Sequence, residues 1–253
     1  MESDLRHAAR LLADRHRVLV FTGAGISTES GIPDFRGPQG IWKKVDPNEF
    51  TFQRYLREPE IRRKRWQMAL ASPLHGAVPN GAHLAVVELW RAGRLAGCVT
   101  QNIDGLHQAA GLPEQEVVEV HGTARRVGCL QCRAMWPTGE VLERVRAGEA
   151  DPHCPHCGGI LKTATISFGQ MMPEREMERA MELAREADAV LSVGSTLSVY
   201  PAAWVPLEAA DRGVPFVILN LGATEHDARA DVKVEGPAGQ VLPRLVAAIT
   251  ASK

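Results

Sequence analysis

Several things are scarce in this chain of 253 residues, and each absence excludes something. Net charge is almost missing, at -1, so no global field recruits nucleic acid or an anionic membrane. No apolar run approaches membrane-spanning length. The first twenty residues carry Asp4, Arg6, Arg10, Asp14, Arg15 and Arg17, which leaves no room for a secretory hydrophobic core. Cysteine is limited to five, an odd number, which argues against a disulfide framework. The expectation is a soluble, cytoplasmic protein without nucleic-acid or membrane partners. No internal repeat and no low-complexity segment occurs. A third glycine is also missing. The apolar run Val18–Phe21 leads into Gly23-Ala24-Gly25, but the dinucleotide fingerprint wants glycine again where Thr28 stands. No acidic residue closes a second strand at the expected distance. An ordinary dehydrogenase is therefore disfavoured, although glycines after a strand still suit close approach to a phosphate.

A hydrophobic share of 45% fills a sizeable core, and the length suits one large domain or one domain with a smaller insertion. Residues 3–15 have helical apolar spacing, and the strand 18–21 follows. Further strands are expected over 95–100, 117–120, 189–193, 216–219 and 232–234. Helices are expected over 81–91, 173–187, 201–212 and 240–250. Alternating strands and helices predict an α/β fold: a mostly parallel sheet covered on both faces. Two stretches break that rhythm: about 38–80, polar and partly helical, and 122–168. Both read as insertions forming a small domain, which leaves about 1–37, 81–121 and 169–253 for the large one.

The second insertion holds Cys129-Leu-Gln-Cys132 and Cys154-Pro-His-Cys157. Two such knuckles present four thiolates, enough for a closed tetrahedral and hence structural Zn²⁺ site. A redox dithiol needs one knuckle and does not explain two. His153 and His156 lie beside the second knuckle and could replace a thiolate, but a surface role is the plainer reading.

Polar residues gather where strands end. Gln101, Asn102 and Asp104 follow the strand 95–100, at the edge where open α/β sheets bind ligands. Capping of a following helix explains one of them, not three. His121-Gly122 follows 117–120; by itself this histidine is as well a satisfied core residue as a general base. Gly194-Ser195-Thr196 follows 189–193, a helix cap or a phosphate or ribose site. Asn220 follows 216–219 and is placed for a ribose hydroxyl.

Taken together, GAGIST, GIPDFRG, TQNIDGLH, VHG, the paired CxxC motifs, ISFG, GSTLSVYPAA and the ILN of 218–220 resemble the sirtuins, the NAD-dependent protein lysine deacylases. The motifs stand in the family's order across nearly the whole chain. The resemblance implies an inverted Rossmann-like domain plus a zinc ribbon and helical module, acting as a monomer on acyl-lysine proteins or peptides. NAD is implied as a consumed co-substrate. Gly23, Ala24, Gly25, Thr28, Asp34, Phe35 and Arg36 would line its site, with Gln101, Asn102, Ile103 and Asp104 around the nicotinamide ribose and carboxamide. Gly194, Ser195, Thr196 and Asn220 would hold the phosphate and adenosine end, with Ala238 beside adenine. His121 would be the catalytic base, assisted by Asn102. Cys129, Cys132, Cys154 and Cys157 would bind one structural Zn²⁺. Ile166, Phe168, Gly169 and Val199 would flank the acyl-lysine, with 167–170 and 197–200 pairing with the peptide backbone. The implied chemistry is attack of the acyl oxygen on the anomeric carbon as nicotinamide leaves. An alkylamidate forms, and the acyl group passes to ADP-ribose, giving deacetylation in the first place.

Two departures stand out. The usual Phe-Gly-Glu ends here in Gln170, and Gly-Thr-Ser appears as Gly194-Ser195-Thr196. Both keep the hydrogen-bonding chemistry, so altered peptide preference is expected. Relatives that favour acidic acyl groups carry a Tyr-x-x-Arg pair in the helical insertion. The best alignment puts Trp66 and Ala69 there, and no such pair occurs between 53 and 80. A neutral acyl group is expected, with Arg62, Arg63 and Arg65 read as a solvated helix face. The rivals are an NAD-linked oxidoreductase, a zinc-dependent acyl-binding module without turnover, and ADP-ribosyl transfer to protein as a side activity.

Overall fold

The computed structural model of the chain describes residues 2–251 apart from 36, 38, 39 and 44. In chain order the elements are α1 (Glu2–Leu12), β1 (Val18–Thr22), α2 (Phe52–Arg57), α3 (Pro59–Leu70), α4 (Gly81–Arg91), β2 (Leu95–Thr100), α5 (Leu106–Ala109) and β3 (Val117–Glu119). There follow β4 (Gly122–Cys129), β5 (Met135–Pro137), α6 (Thr138–Arg146), β6 (Leu161–Thr165), α7 (Glu174–Glu186), β7 (Ala189–Val193), α8 (Trp204–Asp211), β8 (Phe216–Leu219), β9 (Val232–Val234) and α9 (Ala238–Thr250).

Six strands form one sheet in the order β3-β2-β1-β7-β8-β9. Every pairing in it is parallel. The central strands β1 and β7 are buried at all five positions, so they read as continuous apolar runs rather than alternating ones. Successive side chains still point to opposite faces. Val18 and Val20 pack with Leu5, Leu12, Val86, Leu89, Leu242 and Leu245 of α1, α4 and α9. Leu19 and Phe21 pack with Ala180, Ala184, Val205 and Ala209 of α7 and α8. Strand order reverses at the β1–β7 pair, and a crevice opens outside the carboxyl ends of such strands.

The first helix stops at Leu12, short of the expected Arg15, because the Asp188 carboxylate accepts from the amides of His16 and Arg17 (2.8 and 2.9 Å). Helix α8 starts at Trp204 rather than Pro201, and α9 starts two residues early at Ala238. Among the described residues no helix is long and apolar enough to cross a membrane.

A second sheet, β5-β4-β6, is antiparallel and packs with α3 and α6 around Trp66, Val127, Leu142 and Leu161. The chain enters it immediately after His121. Gly122 has φ 71°, and a Cβ there would lie 2.0 Å from the Ala164 carbonyl oxygen, so only glycine makes the turn. The solvated-face reading of α3 fails for two of its three arginines. Arg62 is buried and grips Asp151 with Nε and Nη2 (2.9 and 2.8 Å). Arg65 lies over the Phe50 ring, 4.3 Å from its centre, and burial lowers its pKa. Only Arg63 faces solvent, since α3 is covered both by the ribbon and by the segment around Phe50. Trp66 fills the ribbon core, with Ala69 packed against it.

Candidate active site

The crevice is built from the tips of β1, β2, β3, β7 and β8. At its centre the β1 and β7 loops touch backbone to backbone. Gly23 N donates to Val193 O (3.1 Å), and Gly25 N donates to Gly194 O (2.8 Å). A Cβ on Gly194 would come within 2.3 Å of Ile26 N, and one on Gly25 within 2.7 Å of Gly194 Cα. These glycines thus serve loop-on-loop contact, and the amides of Gly23 and Gly25 are not spare for a phosphate. Ala24 begins a 3-10 turn, so its amide has no acceptor within that turn and lies at its open end.

Asn102 and Asp104 converge on one hydroxyl. Ser27 Oγ donates to Asp104 Oδ2 (2.8 Å) and accepts from Asn102 Nδ2 (3.1 Å). Asn102 Nδ2 also donates to Gly23 O (3.1 Å). Asp104 Oδ1 accepts from Leu106 N (2.9 Å), so this carboxylate caps α5 and is oriented by Ser27 at once. His83 Nδ1 accepts from Asn80 N (3.3 Å), which leaves the Nε2 proton facing Ser27 Oγ (3.4 Å).

His107 lies deeper. Thr22 donates to Thr100, so Thr22 Oγ1 receives the His107 Nε2 proton (3.0 Å) and the buried Nδ1 is left as a lone pair. The two rings meet edge-on, 5.0 Å apart. Burial holds both neutral. It lowers His83 to about 4, against the pull of Asp104, and His107 to about 3. Ser27, His83, Thr22 and His107 escaped the sequence reading. The Asn80-x-x-His83 capping box is the local signal that could have drawn attention to His83.

His121 sits at the β3 tip with Nδ1 3.0 Å from Gln101 O. A carbonyl only accepts, so Nδ1 carries the proton and Nε2 is the basic nitrogen. The Gln101 side chain donates to Ser195 Oγ (2.8 Å), which also accepts from Leu197 N (3.1 Å). The His121 carbonyl accepts from Ile166 N (2.9 Å), tying the β3 tip to the segment that leads into Phe168. Ile103 O holds Ala124 N (2.9 Å).

The remaining predicted residues divide. Asn220 is buried and turns its Nδ2 to Leu221 O and Gly222 O, which leaves Oδ1 as the acceptor for a ligand. Thr196 Oγ1 meets Ser198 Oγ (2.8 Å). Asp34 caps its own loop, with Oδ1 accepting from Gly37 N (2.7 Å), and Phe35 beside it is exposed. Thr28 is exposed and donates to Gly25 O (3.1 Å). Ala238 packs into the core at the start of α9. Arg36 lies outside the described residues.

On the expected peptide side, Phe168 is partly exposed, and its backbone is bonded to Phe50 O and Phe52 N (3.1 and 2.9 Å). Ser167 N donates to Gln170 Oε1 (3.2 Å), and Ser167 O accepts from Gln170 N (3.0 Å). Gln170 therefore keeps, through its amide oxygen, a loop contact that needs no charge. Gly169, at φ 73°, has no backbone acceptor for its amide among the described residues. In the other segment expected to pair with the peptide, Leu197 has φ 57° and the Val199 carbonyl receives Ala203 N (2.9 Å).

Away from the crevice, the Sγ atoms of Cys129, Cys132, Cys154 and Cys157 all lie within 4.8 Å of one another. The Cys129–Cys157 and Cys132–Cys154 separations are 3.5 and 3.6 Å. A tetrahedron with Zn–S bonds of about 2.3 Å has edges of roughly 3.8 Å, so the four thiols fit zinc with little adjustment. His153 instead faces Gly158 O (2.9 Å) and is exposed.

The chain matches the Sir2 family model over residues 23–201. It is 42% identical over 231 residues to NAD-dependent protein deacetylase 2 of Streptomyces coelicolor, covering 90% of this chain and 96% of that one. It is 42% identical over 250 residues to NAD-dependent protein deacylase 2 of Archaeoglobus fulgidus, covering 97% and 96%. A solved Sir2 enzyme superposes with a TM-score of 0.91 at 40% identity over 100% of both chains. A Sir2 complex with a p53 peptide and NAD+ superposes with a TM-score of 0.86 at 32% identity, covering 95% of this chain and 96% of that one. With its sequence, its strand order and its crevice in agreement, the chain belongs to the Sir2 family.

Proposed function

We propose that this chain is an NAD-dependent protein lysine deacylase, a deacetylase in the first place, which transfers the acyl group to ADP-ribose and releases nicotinamide. The observation that carries this reading is the tautomer of His121: its proton sits on Nδ1 against Gln101 O, and Nε2 is left basic at a strand tip. The names of the relatives and the Sir2 complex with peptide and NAD+ support it.

In this reading Asp104 receives the carboxamide of NAD. Its carboxylate is already aimed by Ser27 and by Leu106 N, so little reorganisation remains at the moment of reaction. Asn102, fixed by Ser27 and Gly23, faces the nicotinamide ribose with Gln101 and Ile103. Ala24, Thr28 and Phe35 line the rest of that end. Gly194, Ser195, Thr196 and Asn220 hold the phosphates and adenosine, and Ala238 borders adenine from the core. Ile166, Phe168, Gly169 and Val199 bring the acyl-lysine to the anomeric carbon, so that two reactants meet within one enclosed site. His121 Nε2 then takes a proton from the ribose diol, and the deprotonated 2′ oxygen receives the acyl group.

Cys129, Cys132, Cys154 and Cys157 would hold one Zn²⁺, which cross-links the ribbon and leaves no open coordination position. We assign the helical and ribbon insertions, about 38–80 and 122–168, to a small domain beside the crevice. The place of action is the cytoplasm, where four thiolates stay reduced, and the working unit is a monomer. A neutral acyl group is preferred, since Arg62 is committed to Asp151 and Trp66 to the ribbon core.

The test is nicotinamide release from NAD with acetyl-lysine and succinyl-lysine peptides. Release is expected to depend on the acetyl peptide and to be at least about tenfold slower with succinyl, the worth of roughly one missing charged hydrogen bond. Release that ignores the peptide, or that favours succinyl, refutes the corresponding part.

A further inference from the structure

Strand β3 is an edge of the main sheet, since it pairs only with β2. In a parallel ladder alternate residues turn their backbone groups to the same side. Val120 N donates to Thr100 O (3.1 Å), so Val118 and Val120 serve β2 while Val117, Glu119 and His121 face outward. The His121 carbonyl is met there by Ile166 N (2.9 Å), and Val117 N folds back to Glu114 O. Val117 O, Glu119 N and Glu119 O are left without a backbone partner among the described residues. Open strand edges are templates for another extended chain. This one is not flat: Val117 and Glu119 line a cavity of about 400 Å³ together with Ile166, Pro173, Arg175 and Arg179. That volume suits a small ligand. Gln101, Asn102, Asp104 and His121 are not among its lining residues, so the proposed chemistry leaves it unused.

The two ends of the slot say what fits it. The segment ending at Ile166 runs antiparallel to the start of β4 through the Gly122–Thr165 pairing. It then leaves the edge, and Phe168 bonds to Phe50 and Phe52 instead. An extended segment that takes over where Ile166 stops would run antiparallel to β3. One of its residues would donate to Glu119 O and accept from Glu119 N, and the residue two further on would donate to Val117 O. At the far end Arg179 Nη2 donates to Gln115 O and stops the slot. A strand cannot run through, so a chain end is what fits. Three extended residues span about 10 Å, which brings the last of them up to Arg179. Arg175, one turn earlier on α7, has no ion pair among the described residues. Of the carboxylates on the lining, Glu119 is paired with Arg125 (3.1 Å), which leaves Glu176 against two arginines. The slot therefore favours a negative end.

We infer that this slot binds the free carboxyl end of an extended peptide, about three residues with small apolar side chains, by adding a short strand to β3 and pairing the terminal carboxylate with Arg179 and Arg175. The test is a titration of the ¹⁵N-labelled chain with acetyl-Val-Ala-Val, as the free acid and as the carboxamide, followed by amide NMR and hydrogen exchange. The free acid at about 1 mM is expected to shift the Glu119 amide and to slow its exchange by about tenfold. The carboxamide should bind about tenfold more weakly, the worth of one charge-assisted hydrogen bond. Arg175→Gln leaves the Gln115 contact in place and should cut that preference to about threefold, and Arg175→Gln combined with Arg179→Gln should abolish it. A Glu119 amide that neither shifts nor gains protection in the wild-type chain overturns the inference. So does equal affinity for acid and carboxamide, or a preference that survives in the double variant. Shifts confined to 167–170 and 197–200 also overturn it, because the peptide would then occupy the groove expected for the acyl-lysine.

Discussion

The Gln101 carbonyl oxygen lies 3.0 Å from His121 Nδ1, and the same residue's side chain reaches Ser195 Oγ at 2.8 Å. One residue thereby sets the protonation of the imidazole and joins the tips of β2, β3 and β7. The backbone contact chooses the tautomer and leaves the basic nitrogen as the one not held by Gln101. The side-chain contact ties that choice to the loop expected to hold the phosphates.

Replacing His121 by alanine removes the base without touching the backbone carbonyl that holds Ile166. Turnover of an acetyl-lysine peptide is expected to fall by about 10² to 10⁴-fold, the usual worth of a positioned general base. NAD affinity, measured by calorimetry, should stay within about threefold, since the predicted dinucleotide contacts are mostly made by other residues. Unchanged turnover would remove His121 from the chemistry.

Gly194→Ala tests whether the β1 and β7 loops must touch. Its Cβ would lie 2.3 Å from Ile26 N, and its φ is 63°. Urea unfolding should show a loss of about 2–4 kcal/mol, from the clash together with the left-handed backbone. Gly213→Ala is the control: φ is 77° there too, but nothing lies within 4 Å, so about 1 kcal/mol is expected. Equal losses in the two variants would show that loop contact contributes nothing.

The buried histidines predict an acid-sensitive fold. In the unfolded chain each titrates near 6.5, whereas in the folded chain burial holds His83 to about 4 and His107 to about 3. Between these values the unfolded state binds more protons, so stability rises with pH and is lost as pH falls below 6.5. Urea midpoints at pH 7, 5.5 and 4.5 should decline, and the decline should be shallower in His107→Gln. A decline of the same slope in that variant would show that His107 does not contribute to it.

The four-thiol cluster predicts about one zinc per chain, released by Cys132→Ser and retained by Cys98→Ser, because Cys98 is buried in the main sheet. Metal analysis of the purified variants reads this directly. Chelation should lower the melting temperature, as the ribbon core loses its cross-link. Zinc retained in full by Cys132→Ser would contradict the cluster as its site.

Much of this arrangement is local in the sequence. Each central strand is an apolar run followed at once by its glycine or polar tip, so the strand tips and the residues on them can be read from neighbours alone. The paired knuckles are equally local. What escapes is set by contacts between distant segments. Ser27 and His83 stand far apart in the chain and become partners only because the β1 loop and the start of α4 meet. Arg62 reads as a solvent-facing charge until Asp151 of the ribbon is folded against it. The glycines of the β1 loop suggest a phosphate cradle, yet their amides are taken by the β7 loop, a pairing that sequence spacing does not encode. Helix ends fail for the same reason: the carboxylate that stops α1 comes from Asp188.

The central claim is that the substrate's amide oxygen captures the anomeric carbon of NAD. Incubation of the chain and NAD with a peptide whose acetyl-lysine carbonyl bears ¹⁸O tests it most directly, with all products weighed by mass spectrometry. The account predicts free nicotinamide together with an ADP-ribose product that carries the label on its ribose even after the acetyl ester is hydrolysed. Labelled acetate released while NAD stays intact would contradict it.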